Sequence, residues 1–184
     1  ISALLVVVAA LAAMRQAATW RDDESFWTHA LSVNAASELP HLKLGELHAG
    51  RGEPEAARRA FEAAAALVPR ADTYVNAGNA CVALGETAAA EHHFRAALRL
   101  APRMPAASLS LGALLAQRGE LVEARTILLA AADAAPGVAA LQYNLALVAF
   151  LGGDAGEARD RCRRALTLEA AHSGARELLA RLGP

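Results

Sequence analysis

Apolar and polar positions recur at helical spacing through most of the chain, in segments of about three to four turns separated by short polar breaks. This pattern predicts helix pairs at 38–50 and 54–67, 71–84 and 87–100, 105–118 and 121–134, and 139–152 and 155–168. No stretch alternates apolar and polar residues for long enough to form a strand. Upstream of the pairs, TWRDDESFWTHALSVNAAS predicts one further helix. Asp22 suits its N-cap, and Asp23 and Glu24 complement the dipole in its first turn. A last amphipathic segment, 172–182, carries Arg176, Glu177 and Arg181 on its polar side and suits a helix that covers an exposed end.

The pairs keep one register. A small residue stands at Gly45, Gly78, Gly112 and Ala146, at spacings of 33, 34 and 34. A turn glycine follows at Gly52, Gly85, Gly119 and Gly153 with the same spacings, and a second-helix alanine at Ala57, Ala90, Ala124 and Ala158. Phe61, Phe94, Leu128 and Cys162 come four residues later, and the pairs close at Pro69, Pro102, Pro136 and Ala170. Small residues let two helices approach, the glycine ends the first helix with a left-handed backbone, and proline stops the second. A period of about 34 residues is the mark of a helical solenoid. The pattern L-G-x6-G-x4-A-x3-F-x2-A-x4-P resembles the tetratricopeptide repeat family. The expected fold is therefore all-α: a right-handed α-solenoid of stacked helix–turn–helix repeats with a C-terminal capping helix. Trp27, Ala30 and Ala35 copy the spacing of Phe61, Ala64 and Pro69 without the proline, so 19–36 reads as half a repeat, 37–170 as four repeats and 171–184 as the cap.

Residues 1–14, ISALLVVVAALAAM, carry no charge. As a helix they reach about 21 Å, short of the ~30 Å hydrocarbon core of a bilayer. Three readings stand: the end of a transmembrane helix with an exit linker to residue 18, a secretory signal core, or a buried first helix of the solenoid. The first gives Arg15 the membrane exit and Trp20 the interface. The order of parts at this junction, Arg15, Trp20, Asp22, Trp27, Ala30 and Leu31 ahead of the repeats, resembles that in multi-spanning membrane proteins of the transmembrane-and-repeat O-mannosyltransferase-like group. That resemblance implies repeats on the extracytoplasmic side and an upstream glycosyltransferase for which this chain selects acceptor proteins.

Composition narrows the rest. Over 184 residues, 55% hydrophobic with only 4% aromatic content suits thin alanine-rich helices rather than a thick mixed core. A net charge of −1 gives no bulk attraction for nucleic acid. Cys81 and Cys162 fall at core positions two repeats apart, beyond expected disulfide reach.

Candidate chemistry lies on the first helix of each pair, the surface with which the resembled family holds extended peptides. Two residues before the small position stand Lys43, Asn76, Ser110 and Asn144; one residue after it stand Glu46, Asn79, Ala113 and Leu147. An amide donates and accepts at once, so Asn76, Asn79 and Asn144 can read a peptide main chain. Leu109, Tyr143, Leu147 and Phe150 make the later part of this face apolar, suited to a partner helix or to coverage by the capping helix. The expected binding set is thus Lys43, Glu46, Asn76, Asn79, Asn144, Tyr143, Leu147 and Phe150, with a protein or peptide partner.

No catalytic residue, metal site or cofactor is expected. His41 and His48 share a helix face without a third ligand, and His92 and His93 point apart. Arg159, Arg161, Arg163 and Arg164 read as a solvated outer face, and no phosphate loop, serine elbow or carboxylate pair appears. Two function classes remain: a binding scaffold, soluble or membrane-tethered through its N-terminal segment, or the acceptor-recognition region of a membrane glycosyltransferase.

Overall fold

A computed structural model of the chain describes residue 8 and residues 22–183. Among the described residues there are ten helices and no strand, and the class is that of an α-solenoid. The helices fall into two units, residues 1–84 and 85–184.

The first unit holds α1 (Asp23–Val33), α2 (Glu38–Gly50), α3 (Pro54–Leu67) and α4 (Ala71–Ala83). Asp22 caps α1, its Oδ1 accepting the Ser25 N–H at 2.8 Å. α2 ends where Gly52 takes φ +72°, with the Glu53 N–H donating to the His48 carbonyl and the Gly52 N–H to that of Ala49. This pair of hydrogen bonds needs a left-handed residue, which glycine supplies without steric cost. Pro54 then opens α3, where its missing N–H is no loss.

Packing explains the small position. A Cβ built on Gly45 would lie 2.6 Å from Cε1 of Phe61, a ring only 3% exposed between α2 and α3. Ala57, Ala77 and Ala80 complete this cluster, with Leu42 against it. Glycine at 45 is therefore a condition for the phenylalanine at 61.

The second unit holds α5 (Thr87–Leu100), α6 (Pro105–Gln117), α7 (Leu121–Ala134), α8 (Ala139–Leu151), α9 (Ala155–Leu168) and α10 (Ser173–Leu182). The same key is cut to other sizes here. A Cβ on Gly112 would meet Leu128 at 2.8 Å, whereas Ala146 packs against the smaller Cys162. Phe94, Leu128 and Cys162 are fully buried, as are Ala90, Ala124 and Ala158. Arginines tie each second helix to the next: Arg95 of α5 to Glu123 of α7 at 2.8 Å, and Arg125 of α7 to Glu157 of α9 at 2.7 Å.

Helix α10 packs on α9 and touches α8. His172 caps it, Nδ1 accepting the Ala175 N–H at 3.3 Å. At its other end Arg159 donates to the carbonyls of Leu182 and Gly183, both at 3.3 Å. The anticipated membrane segment, 1–18, lies outside the described residues apart from Val8. No helix among the described residues is long and apolar enough to cross a membrane.

Candidate functional site

Within the first unit, residues of α2, α3 and α4 border a groove. Its volume is about 620 Å³. Glu46 and Ala49 of α2 form one wall, and Asn76, Asn79, Ala80 and Ala83 of α4 the other. Pro54, Ala57 and Phe61 of α3 close the back. Most side chains at the walls are short alanines, and three polar groups, Glu46, Asn76 and Asn79, border the space.

Three of the eight expected residues therefore meet here: Glu46, Asn76 and Asn79. Asn76 is half-buried, and its amide has no hydrogen-bond partner among the described residues. A half-buried amide with both functions open can take an N–H and a C=O from one extended strand. Glu46 is engaged at 2.8 Å by Lys43, one turn back on the same helix, so Lys43 acts on the groove through Glu46 and does not line it. Both partners of that ion pair are about half exposed, so it orders the Glu46 carboxylate more than it stabilises the fold.

The other four expected residues lie on α8, in the second unit, in different surroundings. Asn144 turns its Nδ2 onto the Ala140 carbonyl of its own helix at 2.9 Å. Tyr143, Leu147 and Phe150 pack against the cluster of Ala146, Cys162 and Leu178, so α10 covers this part of the face. The Tyr143 ring meets His172 at a tilt of 48° with centroids 4.8 Å apart, and Arg181 stands 5.4 Å above the Phe150 ring. Of the two uses the apolar stretch suited, coverage by the chain's own last helix is the one present.

Sequence reasoning passed over Ala49, Pro54, Ala80 and Ala83. Their signal was available: Asn76, Asn79, Ala80 and Ala83 follow one another at three and four residues, one stripe of a helix. Alanines in such a stripe read as packing until the neighbouring helix is placed.

Charge around the groove is modest. Where α4 begins, Arg70 hydrogen-bonds Asp72 at 3.1 Å and holds its carboxyl below the usual range, helped by the Thr73 N–H. Elsewhere, burial pushes the Cys162 thiol up, and Cys81 and Cys162 form no disulfide.

A family model described as tetratricopeptide repeat matches residues 42–90 and 75–139, together more than half of the chain. No curated protein matches the sequence. Among solved structures, the chain is similar to YrrB, a repeat protein described as having an unusual peptide-binding site, at 20% identity and a TM-score of 0.73, covering 93% of this chain and 86% of that one. MamA from Desulfovibrio magneticus RS-1 gives 23% identity and a TM-score of 0.71, covering 79% and 82%. PilF of Pseudomonas aeruginosa gives 22% and 0.72, covering 79% and 67%. At these identities the likenesses concern the fold.

Proposed function

The chain belongs to the tetratricopeptide repeat family, and on that premise we propose that it is a protein-interaction scaffold holding an extended polypeptide in the α2–α4 groove. The observation that carries this reading is the open Asn76 amide in a groove walled by alanines. Asn76 pairs with the ligand main chain, Asn79 with the next peptide unit, and Glu46 receives an N–H or a cationic side chain. The alanine walls leave room for ligand side chains. YrrB's described peptide-binding site supports the reading by likeness of fold.

In the same proposal the apolar run 1–14 tethers the scaffold to a membrane, with the repeats on the extracytoplasmic side. The junction residues Asp22, Trp27, Ala30 and Leu31 keep the acceptor-recognition reading for a glycosyltransferase as the alternative. Its other two, Arg15 and Trp20, lie outside the described residues.

The test is selection of peptides from a displayed random library on the immobilised chain, followed by fluorescence anisotropy of a selected peptide. Asn76→Ala is expected to weaken binding about fivefold, the worth of one hydrogen-bonded amide at ~1 kcal/mol, with an unchanged melting temperature. Asn144→Ala, already spent on Ala140, is expected to change binding less than about twofold. Equal affinity for wild type and Asn76→Ala would refute the assignment.

A further inference from the structure

The arginines of α9 do not form a uniform solvated face. The Arg161 side chain is only 16% exposed and links two helices. Its Nε and Nη2 donate to Oε1 of Glu157, at 3.4 and 3.3 Å, and its Nη1 donates to Oε1 of Gln142 on α8 at 3.1 Å. Glu157 is held in turn by Arg125 of α7. Arg159 turns to the carbonyls ending α10, and Arg163 to Asp160 of its own helix. The exposed Arg164 is the one of the four without a partner among the described residues.

Repeat packing does not require these groups. In the same unit, 34 residues earlier, the places of Gln142, Arg161 and Arg164 hold Ser108, Ile127 and Ala130. Gln142 is only 8% exposed, and burying an amide is unfavourable unless its polar ends are used. An arginine can only donate, so Arg161 holds the carbonyl end of the Gln142 amide and turns its NH2 end away. That Nε2 makes no hydrogen bond among the described residues and is not sealed from solvent. Gln142 lines a recess of about 310 Å³ together with Pro136, Arg164, Thr167 and Leu168. The Thr167 hydroxyl donates to the Arg163 carbonyl at 2.9 Å, which leaves the Gln142 amide and the Arg164 guanidinium as the open donors. No carboxylate lines the recess, and Pro136 and Leu168 give it an apolar side.

We propose that this recess binds a small free monocarboxylate carried on a short apolar stem. The Arg164 fork takes the carboxylate oxygens, Nε2 of Gln142 donates a further hydrogen bond, and the stem rests on Pro136 and Leu168. One open guanidinium matches one negative charge, which favours a carboxylate over a phosphate dianion. Ligand pockets run from about 300 to 1,000 Å³, and this recess lies at the small end, suited to an acid of a few carbons. The last residue of a polypeptide fits less well. Its peptide N–H needs an acceptor, and Oε1 of Gln142 is already held by Arg161. Arg161 is a positioning residue, since it fixes Gln142 and does not line the recess. The recess belongs to the second unit and the α2–α4 groove to the first, so Asn76→Ala leaves acid binding unchanged.

The experiment is a titration of the isotope-labelled full chain with sodium isovalerate at constant ionic strength. It is followed by NMR at the Gln142 side-chain amide and the Leu168 backbone amide. The wild type is expected to show a saturable shift at both, with a millimolar dissociation constant. Arg164→Gln, an exposed change that leaves the core intact, weakens binding by about tenfold, and Arg164→Lys, which keeps the charge, by less. Gln142→Glu keeps an oxygen for Arg161 but sets the other against the acid, and the Leu168 shift is lost. Isoamyl alcohol, the same stem without the charge, moves neither resonance. Inorganic phosphate and an acetylated peptide ending in leucine both bind more weakly than isovalerate. No saturable shift in the wild type, equal affinity in Arg164→Gln, or phosphate or the peptide binding as tightly as isovalerate would overturn the proposal.

Discussion

Gly45→Ala tests the packing key most directly, because two known effects oppose each other there. In a helix interior alanine is favoured over glycine by about 1 kcal/mol. Against that, the new methyl would stand 2.6 Å from Cε1, 2.7 Å from Cδ1 and 2.9 Å from Cζ of Phe61. Carbon atoms pack best at about 3.5–4.0 Å, so the ring must retreat by roughly 1 Å. Phe61 is rigid and buried between Ala57, Ala77 and Ala80, and overpacking of this kind costs about 1–3 kcal/mol. The net expectation is a loss of up to about 2 kcal/mol in urea unfolding followed by far-ultraviolet circular dichroism. The second unit supplies the rescue, since there Ala146 packs on Cys162. Phe61→Cys alone should lose about 3 kcal/mol to the cavity, and adding Gly45→Ala to it should return about 1 kcal/mol. The cycle then shows a coupling of about 1–3 kcal/mol. If Gly45→Ala stabilises the wild type by the full helix-propensity gain, the ring yields freely and the small position is not set by Phe61.

Two further outcomes follow from burial. Phe94→Ala should destabilise by about 3 kcal/mol, and a loss under about 1 kcal/mol would mean that the ring is not packed as described. The Cys162 thiol, pushed up by desolvation, carries less thiolate at any given pH than an ordinary cysteine, so iodoacetamide should label it far more slowly in the native protein than in urea. Equal rates by mass spectrometry would contradict its burial.

Much of the fold is legible in the sequence because the repeat constraints are local. Close approach at Gly45 and Gly112 and a left-handed turn at Gly52 each demand one residue type, and the demand recurs at a fixed interval. The second helices α3, α5, α7 and α9 span 54–67, 87–100, 121–134 and 155–168 as their patterns predict. The first helices α4, α6 and α8 stop one residue short of expectation, because Leu84, Arg118 and Gly152 serve as C-caps in front of the turn glycine. The site is less legible, since a binding face depends on where side chains turn. Asn76 and Asn144 occupy equivalent places in the register, yet only Asn144 folds back onto its own helix, at the Ala140 carbonyl. Whether the apolar Tyr143, Leu147 and Phe150 meet a partner or the chain itself depends on the path of α10, which amphipathicity alone leaves undetermined.

The keyed pairs also bear on how such a chain is copied. Gly45 with Phe61, Gly112 with Leu128, and Ala146 with Cys162 each lie inside one repeat, on either side of its turn glycine. A recombination break at a closing position such as Pro69 or Pro136 keeps every pair together and passes on a helix couple already fitted. A break at Gly52 or Gly153 would join the alanine of one couple to the phenylalanine of another, with a methyl group where the ring needs space. Selection on packing alone therefore sets the heritable module at the helix couple and places its seams at the prolines.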